Sequence, residues 1–158
     1  MEAVRVARAT DTERVAELVD EFAEEMESRR GASLLSGPGG PGPARIDGPE
    51  AVAVASSDPG RLALVATLDD VVVGIALCHL EDAGPTGRRG VIDACYVEPG
   101  ARVVGLGRML MDRALAWCTD HRCRGIDGFA FPGDRGAKSF FESAGFKARL
   151  LVMHRDLD

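Results

Sequence analysis

Between Val91 and His121 the chain turns from strand-like to helix-like across one short glycine-marked turn, and this constrains the fold more than any other feature. Val91 to Val97 is largely apolar and reads as a strand. It stops at Glu98-Pro99-Gly100, where Pro99 has no N–H to give to a ladder. Gly105 to about His121 reads as an amphipathic helix with Leu106, Met109, Leu110, Ala114, Trp117 and Cys118 on one face. The first N–H groups of a helix lack intrahelical partners and sit at the positive end of its dipole. Gly105 and Gly107 have no Cβ to keep an anion away from them, and Arg102 and Arg108 flank them. The turn therefore suits a phosphate, although close packing of helix on strand would use the same glycines. A dinucleotide fingerprint would need a third glycine where Leu110 stands, and a P-loop would need Gly-Lys-Ser/Thr, which the chain lacks.

The rest of the chain supplies the other parts of an α/β fold. Val4 to Arg8 alternates like a half-buried strand. Thr10-Asp11-Thr12-Glu13 reads as a capping box with Thr10 as N-cap, ahead of a helical stripe of Val15, Leu18, Val19, Phe22 and Met26. Residues 31–49 are too rich in Gly and Pro for a helix or central strand, and are expected to form a mobile loop within one domain spanning 1–158. A short helix is predicted from Pro49 to about Ser56. Leu62 to Ala66 and Val71 to Leu80 form a hairpin around Asp69-Asp70. After the strand and helix of the glycine turn come a strand from Ile126 to Phe131, a helix from Asp134 to Ala144 and a closing strand from Phe146 to Arg155.

Composition narrows the function. A formal charge of −6 argues against non-specific nucleic-acid binding, and fits a cationic small partner better. No apolar run is long enough for a membrane span, and Met1 to Arg5 shows no apolar signal core, so a cytoplasmic location is expected. Cys78, Cys95, Cys118 and Cys123 contain no CxxC pair, and Cys118, His121 and Cys123 lack a fourth ligand at metal-site spacing. Reduced thiols and no metal are expected.

Arg102-Val103-Val104-Gly105-Leu106-Gly107 resembles the Gln/Arg-x-x-Gly-x-Gly/Ala pyrophosphate motif of the GNAT superfamily of N-acetyltransferases, placed as there after a Val-x-Pro, here Val97-Glu98-Pro99. Asp134-Arg135-Gly136-Ala137 through Phe140-Phe141 to Gly145-Phe146 is similar to a second signature of that family, Asn-x-x-Ala-x-x-Phe-Tyr-x-x-x-Gly-Phe. The order of predicted elements matches as well. The resemblance implies a mostly antiparallel, splayed mixed sheet flanked by helices. It also implies transfer of an acetyl group from acetyl-CoA to a primary amine by direct attack in a ternary complex.

Site roles follow from the resemblance. Backbone groups of Tyr96 and Val97 would bond the pantetheine arm, and N–H groups from Val103, Val104, Gly105, Leu106, Gly107 and Arg108 would take the pyrophosphate. Asp134 stands where the family has an Asn contacting the coenzyme, or serves as the N-cap of its helix. Phe141 stands where the family has a Tyr whose hydroxyl protonates the leaving thiolate, so the general acid is missing there. Asp93, on the strand beside the thioester, is the first candidate for the base that deprotonates the amine, ahead of Glu81, His79 and Tyr96. Cys95 reads as a small buried hydrophobe rather than a nucleophile. The acidic face of the first helix is a solvated face or a lure for an amine. A non-catalytic acyl-CoA-binding regulatory domain is the rival reading. The amine acceptor stays open, as does pairing into a homodimer.

Overall fold

The computed structural model describes residues 1–29, 46–155 and 157, so most of the loop expected at 31–49 lies outside the described residues. The described strands form one five-stranded sheet in sequential order. β1 (Glu2–Val6), β2 (Arg61–Leu68), β3 (Val71–Asp82) and β4 (Arg88–Val97) run antiparallel, and β5 (Gly125–Asp127) is parallel to β4. The sheet is thus mixed and mostly antiparallel, as the sequence implied. The β2–β3 hairpin turns at Asp69-Asp70, both at positive φ (48° and 66°), which Asp tolerates better than most residues.

α1 (Thr12–Glu27) and α2 (Ala51–Ser57) cover one face. Val15, Leu18, Val19 and Val52 meet Ala63, Val65, Val72, Ile75, Leu77, Ala94 and Tyr96 there. α3 (Leu106–Asp120) and α4 (Arg135–Ser143) cover the other face. Leu106, Leu110, Met111 and Ala114 pack on Leu62, Leu64, Ala66, Ala76, Cys78, Ile92 and Val97, with Phe140, Phe141 and Phe146 alongside. Among the described residues no helix is long and apolar enough to cross a membrane.

Several expectations need correction. Thr10 does not cap α1. The chain makes a 3-10 turn over Ala9–Asp11, and the Asp11 carboxylate accepts from the Arg8 N–H (2.7 Å) and both Arg5 Nη atoms. This short side chain satisfies a turn donor and ties β1 to the helix entry. On α3 the buried methionine is Met111, whereas Met109 is exposed. The strand expected from Ile126 to Phe131 spans only Gly125–Asp127, and Phe146 to Arg155 forms no strand. Leu150, Leu151 and Met153 of that segment lie largely exposed.

Two contacts fix how the sheet opens. At Gly90, which pairs with Ile126 across β4–β5, a Cβ would overlap the Sγ of Cys118 from α3. At Gly128, just past β5, a Cβ would overlap the ring of Phe141 from α4. Helices on that face thus press directly on backbone where the two parallel strands meet and part.

Candidate active site at the fork of the sheet

β4 and β5 pair only at Arg89–Gly125, Gly90–Ile126 and Val91–Asp127. Beyond Val91 the β5 side of β4 has no strand partner among the described residues, so Ile92 to Val97 present an open backbone edge. The open edge ends at a 3-10 turn, Pro99–Val104, that delivers the chain to α3. Gly105 caps α3 at φ 79°, a left-handed conformation that favours glycine, with no atom near the position of a Cβ. Gly107 is half-buried, and a Cβ there would lie 3.4 Å from the Phe140 ring. An open edge leading to uncapped N–H groups beside two glycines fits a strand-like arm that ends in a phosphate.

The two flanking arginines do not wait for that phosphate. Arg102 donates to the Val97 carbonyl (2.8 Å) and to Glu25 of α1 (2.9 Å), and lies over the Tyr96 ring. Arg108 bonds Asp112 (2.9 Å) and the Ser143 carbonyl (3.0 Å), joining α3 to α4. Both guanidinium groups thus already have partners within the protein. The acidic face of α1 is also committed in part: Arg14 bonds Glu17 and Glu98, and Tyr96 donates to Glu21 (3.2 Å). Burial and Glu21 push the Tyr96 phenol up, so little phenolate is present to take a proton.

Asp93 sits at the base of the fork. It is the residue left over between the register pairs Leu77–Ala94 and Cys78–Ile92, a β-bulge. The bulge resets the alternation of β4, sending Ile92 to the α3 face and Ala94 to the α1 face. Asp93 is 93 % buried, at 7 % exposure. Its Oδ2 lies 2.7 Å from His79 Nδ1, and its buried Oδ1 has no hydrogen-bond partner among the described residues. His79 Nε2 lies 2.9 Å from Glu81, which Arg89 also bonds at 2.7 Å. Burial lifts the Asp93 carboxyl above its usual range, opposed by His79 and Arg61. Burial works against a charge on His79, but its bonds to Asp93 and Glu81 prevail and raise its pKa. Arg89, then His79, hold Glu81 below the usual carboxylate range.

The structure thus gathers three of the four base candidates, Asp93, His79 and Glu81, into one cluster and sets Tyr96 apart. Spacing alone did not reveal that cluster. Cys95 is half-buried and its thiol is pushed up to about 12 by burial, so little thiolate exists to attack a thioester. Among the described residues no cluster of His, Cys, Asp or Glu is arranged to hold a metal.

Asp134 caps α4, accepting from the Ala137 N–H at 3.1 Å, and its second oxygen faces Arg29, just past the end of α1, at 3.3 Å. A cavity of about 430 Å³ lies at this junction, lined by Ser28, Arg29, Pro132, Gly133, Asp134 and Arg135. A larger cavity of about 670 Å³ lies at the other end of β3 and β4, around Asp82, Arg88 and Arg122. Asp134→Ala is expected to cost about 0.5–2 kcal/mol through the lost cap. Thermal melting checks this as a fall of about 2–6 °C.

Phe141 stands in an aromatic cluster, its ring 5.1 Å from Phe146 and 5.9 Å from Phe140, against Gly128 where β5 ends. No hydroxyl is offered at that position.

Comparison with known proteins agrees with this architecture. Solved structures share the fold across nearly the whole chain. A mutant protein from Bacillus halodurans gives a TM-score of 0.80 at 20 % identity, covering 98 % of this chain and 99 % of that one. A predicted acetyltransferase from Clostridium acetobutylicum, solved with acetyl-CoA, gives 0.73 at 16 % identity, covering 99 % and 96 %. An aminoglycoside 6′-N-acetyltransferase from Acinetobacter haemolyticus gives 0.68 at 17 % identity, covering 99 % of each chain. No curated protein sequence matches the chain. The model of the acetyltransferase (GNAT) family matches residues 38–146 and takes in both the glycine turn and the aromatic cluster. The chain belongs to the GNAT family of acetyltransferases.

Proposed function

We propose that this acetyltransferase moves the acetyl group of acetyl-CoA directly to a primary amine held at the fork, with Asp93 as the proton acceptor. The observation that carries this reading is the buried Oδ1 of Asp93, without a hydrogen-bond partner among the described residues, on the strand whose β5 side opens beyond Val91. The pantetheine arm would lie along the backbone of Tyr96 and Val97, with the pyrophosphate over the N–H groups between Val103 and Arg108. An amine arrives as an ammonium, and its loss of one proton to Asp93 frees the lone pair. Nitrogen attacks the thioester carbonyl, the C–S bond breaks, and the nitrogen's second surplus proton ends on sulfur. The net products are an amide, the coenzyme thiol and one proton for solvent. The name of the aminoglycoside N-acetyltransferase with the same fold supports an amine as the acceptor class. A thiol-release assay with a panel of primary amines tests the reading. Coenzyme binding without turnover on any amine would favour the rival, a regulatory domain, which the missing hydroxyl at Phe141 keeps in play.

Phe141→Tyr addresses that missing hydroxyl. The two rings share a shape, so stability is expected to change little. Turnover is expected to rise about tenfold if protonation of sulfur limits the rate, within the usual range for a positioned acid. Coenzyme affinity should hold, because the proton is needed only as the C–S bond breaks. Equal or lower turnover in an active parent's variant would show that sulfur gains its proton by another route.

A further inference from the structure

We infer that His79 is a positioning residue for the acetyl transfer: clamped as a cation between Asp93 and Glu81, it keeps the buried Asp93 ionised and leaves Oδ1 as the Asp93 oxygen without a hydrogen-bond partner among the described residues. This rests on the reading of Asp93 as the base and adds the device that lets a carboxylate act as one inside the protein.

Each ring nitrogen of His79 faces a carboxylate oxygen, at 2.7 and 2.9 Å. A neutral imidazole has one N–H and one lone pair, so with both carboxylates ionised one of those contacts would set lone pair against lone pair. The imidazolium donates to both. Asp93 needs such a partner, because an isolated buried carboxylate takes up a proton and stops being a base. The bond to Oδ2 also selects the other oxygen for chemistry, and the bulge in β4 sets Asp93 at the fork.

Other charged groups face the pair from each side. Arg61 of β2 stands opposite His79 in the ladder and lowers the Asp93 carboxyl by its charge. Arg89 of β4 bonds Glu81, and its Nε lies 3.1 Å from Asp127 of β5, which Arg149 also bonds. Glu81 is the more exposed end of the cluster and Asp93 the buried end, so the cation between them is held from both sides.

The signs follow. Activity falls on the acid side as Asp93 gains a proton, and on the alkaline side as His79 loses one. Glu81→Gln removes one carboxylate from His79, so the alkaline limb is expected to move to lower pH. His79→Asn keeps a neutral donor near Asp93 and removes the cation. Its acid limb is expected to move to higher pH, its own alkaline limb to vanish, and turnover at neutral pH to fall about tenfold to a hundredfold, short of the loss for the base itself.

The experiment is a pH–rate profile of kcat/KM for the parent, Glu81→Gln and His79→Asn on one amine, so that the amine's own ionisation is common to all. Acetyl-CoA affinity by calorimetry should match the parent in each. Limbs that keep their positions while only the height changes would overturn the inference. Glu81 is only half-buried and its amide has the same shape, so that variant decides the matter even if His79→Asn misfolds. Asp93→Asn in the same series separates the two readings: parent-like turnover there overturns the base assignment instead.

Discussion

Asp93→Asn is expected to lower turnover by about 10²–10⁴-fold at neutral pH while acetyl-CoA binds as it does to the parent. The substitution keeps shape and volume in a site that is 93 % buried, at 7 % exposure, so packing at the β4 bulge is preserved. The amide oxygen can still face His79 Nδ1. What is lost is an acceptor for the ammonium proton at the Oδ1 position, where the parent has no competing partner among the described residues. Thermal melting should show a folded protein, and calorimetry a normal coenzyme isotherm. Retention of more than about a tenth of parent turnover at neutral pH would mean that another group or water takes the proton.

The second large effect concerns the turn at the head of α3. Gly107→Val is expected to remove measurable coenzyme binding from a protein that still folds. Only 3.4 Å separates a Cβ at Gly107 from Phe140, which is ordinary contact for alanine but leaves no room on that side for two further methyl groups. Turned the other way, they cover the N–H groups that would meet the pyrophosphate. Losing two hydrogen bonds to a charged group, at about 1.5–3 kcal/mol each, corresponds to ~10²–10⁴-fold in affinity. Valine costs the helix itself well under 1 kcal/mol relative to alanine. Gly107→Ala serves as the control and should bind more weakly than the parent but measurably. Unchanged affinity in folded Gly107→Val would place the anion elsewhere.

Where the sequence was readable, periodicity made it so. The spacing of Val15, Leu18 and Val19 gave the buried face of α1, and the apolar runs around Asp69-Asp70 gave the hairpin. At 3.6 residues per turn, the ridge through Leu106, Leu110, Ala114 and Cys118 slants around α3 toward Met111 and away from Met109, which a flat list of apolar residues conceals. The β4 bulge was hidden because Val91 to Val97 is apolar on both faces and marks no alternation to be broken. With the bulge hidden, the register that brings Asp93 to His79, fourteen residues away, was hidden too. Glycine and arginine in the Arg102–Arg108 segment led to the expectation of an anion site flanked by two guanidinium groups, but a sequence cannot tell a waiting guanidinium from one already bound to Glu25. The run Leu150 to Met153 carries strand-forming residues without alternation, and nothing in it says whether a neighbouring edge exists to receive it.

The contact between Gly90 and Cys118 restricts the order in which this protein can change. A side chain at position 90 would occupy the space of the Cys118 sulfur, so Gly90→Ala is closed while the cysteine remains. Cys118→Ala comes first or not at all: it leaves a small void beside the β4–β5 junction, and Gly90→Ala can then fill it. The two positions should therefore couple strongly, the double variant being more stable than the sum of the single costs by about 0.5–3 kcal/mol. One route between two workable sequences is passable and its mirror image is not. The junction that spaces the fork is thereby shielded from drift at Gly90, because any lineage must first accept the weakened intermediate.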